Sequence, residues 1–166
     1  MEDLFMKLDA SVQMRLPLGI ADVDDICIIR DFINLTQIGY ITRGDRTDDE
    51  IADVIPWLGH CGHTLMTLAN RFKKIQKVIC TGDELCEIRD VVSQIGPYLQ
   101  DSIQHCPDTL MSEWMLMDKY NRADKDSIIS VQELTCKQIR KDLEAIKASR
   151  SLGDTMAYGE IPTLLI

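Results

Sequence analysis

The residue types best suited to chemistry crowd into Gly59-His60-Cys61-Gly62-His63, where two of the chain's three histidines flank a thiol. Zinc takes imidazole nitrogen and thiolate sulfur, and a closed site needs about four such ligands. The third histidine, His105, stands beside Cys106, so His60, His63, His105 and Cys106 form the candidate metal set. No C-x-x-C pair and no H-E-x-x-H motif accompanies them. Whether the four can meet depends on the elements that carry them.

Apolar residues recur at Ile51, Val54, Leu58, Cys61, Leu65, Leu68, Phe72, Ile75 and Ile79, alternating steps of three and four. That spacing predicts a single helical seam from Ile51 to Ile79. Thr47 is its N-cap, and Asp48, Asp49 and Glu50 suit the positive end of the helix dipole. Pro56 should kink or break it. On such a helix Cys61 lies in the seam, whereas His60 and His63 share the polar face with Asp53, Thr67, Asn70 and Lys74. Thiol and imidazoles then point apart, although the two histidines, one turn apart, can still share an ion.

Thr81-Gly82-Asp83-Glu84 has the form of a capping box and opens a second helix bearing Leu85, Ile88, Val92, Ile95 and Leu99. The short connection makes the two an αα-hairpin, whose late second half would approach the early first half and so bring His105 toward His60. Gly96-Pro97 should bend the second helix and Cys106-Pro107 should end it. Asp108 or Thr109 then caps a helix with Leu110, Trp114, Met117 and Tyr120. Asp22 caps an earlier one with Ile26, Ile29, Ile33 and Tyr40, and a last one carries Cys136, Ile139, Leu143 and Ile146. Trp57, Trp114 and the Met111, Met115, Met117 group read as core. Residues 1–20 form an N-terminal arm, whose Leu4, Phe5, Leu8, Val12 and Leu16 can make a further short helix cut off by Pro17 and Gly19. Residues 153–166 form an apolar tail ending in Leu164, Leu165 and Ile166, which must dock on its own domain or on a partner.

Arg122-Ala-Asp124-Lys-Asp126-Ser-Ile-Ile-Ser130-Val-Gln-Glu133 resembles an EF-hand calcium loop. The resemblance puts Asp124 and Asp126 on the third and fifth loop positions, Ser130 on the ninth and Glu133 on the bidentate twelfth. Arg122 stands where the motif needs its first oxygen ligand, and Ser127 replaces the turn glycine. The same letters also serve as a loop followed by the capping box Ser130–Glu133.

The totals narrow the class. A chain of 166 residues with 45% apolar and 5% aromatic composition suits one helical domain rather than an aromatic-rich sandwich. No apolar run approaches the ~18 residues that span a bilayer, and the first residues lack a secretory pattern. A cytoplasmic location with six reduced, buried thiols is therefore expected. The net charge of −9 opposes direct nucleic-acid binding, and residues 1–55 alone hold 12 acidic against 5 basic side chains.

The expectation is thus all-α: a single domain, 1–166, built as an antiparallel helical bundle of about five helices with a long central αα-hairpin. No phosphate cradle, nucleophile elbow or Walker lysine is present, so the reading is a non-enzymatic, cofactor-free interaction or regulatory module. Its partner is a protein, or a second copy in a homodimer. Partner contacts are assigned to Asp48, Asp49, Asp53, Leu164, Leu165 and Ile166. The rival readings are a zinc or calcium sensor, and an acidic inhibitor occupying a nucleic-acid-binding surface.

Overall fold

Local capping chemistry sets where the helices begin. In the computed structural model, which describes residues 1–123 and 135–151, Asp22, Thr47 and Thr81 each close a capping box with Asp25, Glu50 and Glu84. The cap oxygen accepts the N–H three residues on, and that residue's carboxylate accepts the cap's own N–H. Each such cap stabilises its helix by about 1 kcal/mol. The helices that follow are α2 (Val23–Thr42), α3 (Asp48–Ile75) and α4 (Gly82–His105). Before them α1 (Glu2–Ala10) runs on through a π-helical turn, Ser11–Arg15, closed by the Leu16 N–H on the Ser11 carbonyl at 2.9 Å. After them come α5 (Pro107–Ala123) and α6 (Cys136–Ser151). Helix α5 opens on Pro107 itself rather than behind a cap at Asp108 or Thr109, because the first position of a helix has no use for an N–H. No strand occurs among the described residues, and none of their helices is long and apolar enough to cross a membrane.

The centre of the fold is α2. Every residue from Asp31 to Gly39 is buried, and α2 packs against each of the other described helices. Helices α3 and α4 add Leu58, Leu65, Ile88 and Leu99 to the same core. Phe32 of α2 sets its ring edge-on to Trp114 at 5.7 Å and to Phe5 at 6.3 Å, joining α1, α2 and α5. Polar residues on this buried helix bond inside, although Asn34 Oδ1 and Gln37 Oε1 have no partner among the described residues. Thr36 donates to the Phe32 carbonyl at 2.8 Å, and the Gln37 amide donates to the Ile55 carbonyl of α3 at 3.1 Å.

The seam of α3 holds from Ile51 through Leu68, with Ile51, Leu58, Cys61, Leu65 and Leu68 buried. It does not reach Ile79. Gln76 adopts a left-handed conformation (φ 57°), and its N–H closes on the Phe72 carbonyl at 2.8 Å, which ends the helix. Ile75 and Ile79 are left half in water while Val78 turns inward. Neither proline ends its helix. Pro56 and Pro97 both lie on exposed faces, and Gln37 supplies a donor beside the Pro56 interruption.

Two further expectations, on Trp57 and on the thiols, need correction. Trp57 stands 38% exposed instead of in the core. Leu4, Leu8, Val12 and Leu16 are buried along α1 and the turn that follows it, where residues 1–20 can carry a short helix. All six thiols are free, but only Cys61 is fully buried, and Cys86 is exposed. Burial pushes the Cys61 thiol up to about 12, with Glu87 adding to the effect, so the free thiol stays protonated at neutral pH.

Candidate functional site

Helix α2 ends on Arg43, whose side chain turns back into the protein. Its Nε donates to Glu113 Oε1 at 2.9 Å and its Nη2 to Glu113 Oε2 at 2.7 Å. Nη1 donates to Ser102 Oγ at 2.6 Å and reaches Cys106 Sγ at 3.6 Å. Glu113 is fully buried and also accepts from Thr42 Oγ1 at 3.1 Å. The guanidinium lies 4.9 Å from the centre of the Tyr98 ring. Burial works against the charge of Arg43, but the hydrogen bonds and charge of Glu113 outweigh it and hold the guanidinium more firmly protonated than usual. Tyr98 in turn presses on Gly39, where a Cβ would collide with the phenol hydroxyl. Glycine is thus required there for close approach.

This cluster clasps α2, α4 and α5, and within it the buried Tyr98 hydroxyl has no hydrogen-bond partner among the described residues. Two lesser clusters repeat the pattern. Asp25 accepts from Ser11 Oγ at 2.6 Å and from Arg15 Nε at 2.9 Å, beside a cavity of about 310 Å³ under the π-helical turn. Asp31 of α2 accepts from Arg30 at 2.9 Å and from Asn121 of α5 at 3.1 Å, and its burial pushes the carboxyl above the usual range.

The sequence-assigned metal set is not gathered into one place. Among the described residues no three His, Cys, Asp or Glu side chains are placed to hold an ion. His60 pairs with Glu87 of α4, His63 is exposed, His105 pairs with Asp101 at 3.0 Å, and Cys106 sits under Arg43. The register explains the separation. Arg71 meets Glu84 at 2.5 and 2.7 Å, and Thr64 meets Glu87 at 2.6 Å, so His60 lies level with the early part of α4. His105 is then about 27 Å further along that helix by its rise. The calcium-like residues Asp124, Asp126, Ser130 and Glu133, and the tail residues Leu164, Leu165 and Ile166, lie outside the described residues.

Asp48, Asp49 and Asp53 are all exposed at the start of α3. Asp49, Asp53, Trp57 and His60 follow one another at helical spacing along the same exposed stripe. Sequence reasoning selected the acids but missed Trp57, because an indole next to Pro56 and Leu58 reads as core.

The Arg71–Glu84 pair predicts a pH response. Arg71 holds the Glu84 carboxyl below its ordinary value. A depressed carboxyl stabilises the fold above the unfolded-state value, and that contribution is lost as pH falls through the folded-state value. Glu84→Gln is therefore expected to flatten the loss of stability below about pH 4.3, measured by urea denaturation across the acid range. An acid limb identical to that of the wild type would contradict the assignment.

No known family model matches the chain, and comparison with curated proteins and with solved structures found no match. Fold and site together define an all-α protein whose internal ion pairs bind its helices to one another, and whose unengaged acids and indole face outward.

Proposed function

We propose that the protein is a non-enzymatic protein–protein interaction module with a regulatory role, acting in the cytoplasm, where six free thiols stay reduced. Its architecture is an antiparallel bundle in which α3 and α4 form a long hairpin. The supporting observation is the outward indole of Trp57 in line with Asp49 and Asp53. Protein interfaces concentrate their binding energy in a few aromatic or arginine side chains ringed by polar ones, and a half-exposed tryptophan behind an acidic helix start supplies that pattern. The acidic rim selects a basic partner surface and speeds its encounter.

Affinity capture from the native host tests the reading. Asp48→Lys, Asp49→Lys and Asp53→Lys together, and separately Trp57→Ala, are expected to cut recovery of the partner by tenfold or more, on the scale of a ~1.4 kcal/mol loss. All four positions are exposed or nearly so, and the melting temperature should stay within a few degrees. Undiminished capture by both variants would remove the proposal.

A further inference from the structure

Six of the eight exposed large apolar side chains among the described residues, Met14, Leu18, Ile20, Val23, Ile75 and Ile79, share one end of the molecule. The contacts fix their placement. The Gln37–Ile55 hydrogen bond and the short link between α2 and α3 make those helices antiparallel. Counting from that bond by the helical rise, Val23 lies about 21 Å, and Ile75 about 30 Å, toward the same end. The Ser11–Asp25 bond brings the π-helical turn and the Pro17–Ile20 segment to that end as well. These six side chains are 39–66% exposed, and the left-handed Gln76 presents the tip that carries Ile75 and Ile79.

The charges around them are of two signs. Lys73, Lys74 and Lys77 are exposed beside Ile75, with Asp83 close in sequence, while Asp24 and the half-exposed Asp22, which shares Arg15 of its own chain at 3.7 Å, flank Val23. We infer that this end is the face on which two copies of the chain pair about a twofold axis, the α3 tip of one against the Leu18–Val23 segment of the other. A twofold interface must be self-complementary, and here the lysines of one copy meet the aspartates of its mate. Six half-exposed side chains offer on the order of 500 Å² of apolar surface, which with the charged rim approaches the roughly 800 Å² per partner of a stable interface.

Two other occupants fit less well. An anionic bilayer would attract the lysines but be repelled by Asp22, Asp24 and Asp83. The apolar tail begins at the opposite end, where Arg150 donates to the Asp108 carbonyl. Of its apolar residues, Ile161 reaches at most about 35 Å when fully extended, and only Leu164, Leu165 and Ile166 span the about 40 Å along the helices, at nearly full extension.

This deepens the interaction reading but uses the pole opposite to Asp48, so the two can fail separately: one by partner capture, the other by self-association. Sedimentation equilibrium of the full chain is expected to show a reversible dimer. Ile75→Asp with Ile79→Asp should raise its dissociation constant by about tenfold or more. Lys73→Glu, Lys74→Glu and Lys77→Glu in one variant, and Asp24→Lys with Asp22→Asn to keep the helix cap in another, should each weaken it. Mixing these two should restore pairing as a heterodimer. Thermal melting of each variant confirms the fold. A wild-type chain that stays monomeric throughout, swaps that leave the dimer intact, or a mixture that fails to pair would each overturn the inference. Co-sedimentation of a monomeric chain with phosphatidylserine vesicles would assign the face to lipid instead.

Discussion

Glu113→Ala is expected to lower the free energy of unfolding by about 3–5 kcal/mol, because it leaves the Arg43 guanidinium largely buried with no counter-charge. The Arg43 side chain is only 13% exposed, and Glu113 supplies two of its hydrogen bonds. Such a loss is a large share of the ~5–15 kcal/mol that holds a domain of this kind together. The companion variant guards against a chain that simply does not fold. Arg43→Met combined with Glu113→Leu removes both charges, and a buried pair replaced by apolar groups of similar volume is often neutral or better. Urea denaturation should therefore find the double variant more stable than Glu113→Ala alone. A Glu113→Ala protein within about 1 kcal/mol of the wild type would show that the clasp does not secure the fold.

Trp114→Ala carries the second large effect, a loss of about 3–5 kcal/mol. The indole is 1% exposed, wedged edge-on to Phe32 where α5 crosses α2. Deleting it opens a cavity where α1, α2 and α5 share an aromatic contact. Trp114→Phe should cost under about 2 kcal/mol, since ring stacking survives. The indole N–H has no hydrogen-bond partner among the described residues, so little polar energy is lost with it. If Trp114→Phe were as damaging as Trp114→Ala, the packing account of that contact would be wrong.

Much of the helical scaffold was legible because capping and periodicity are local. Thr47, Thr81 and Asp22 mark helix starts within four residues of themselves, and the stripe from Ile51 to Leu68 needs only the 3.6-residue period to be seen. The helix end at Gln76 was not legible, since nothing in Ile75-Gln76-Lys77 forces a left-handed residue. The central role of α2 was hidden by its own polar residues. Asp31, Asn34, Thr36 and Gln37 interrupt its apolar letters, yet they are buried and bonded internally. The Arg43–Glu113 clasp joins residues 70 apart in sequence, beyond any local pattern. One signal did exist. Glu113 falls on the same helical stripe as Leu110, Trp114 and Met117, and a carboxylate on a core stripe demands a buried cation. The distant register that separates His60 from His105 is a tertiary fact, fixed by Arg71–Glu84 and Thr64–Glu87 contacts that spacing alone could not rank.

Hydrogen exchange of the full chain, alone and in the complex captured from its host, addresses the central claim most directly. The account predicts that amides of residues 31–39 exchange slowest in both states, and that binding adds protection over residues 48–57, where the acids and Trp57 face outward. Fast exchange through α2, or protection on binding confined to helices away from the start of α3, would contradict it.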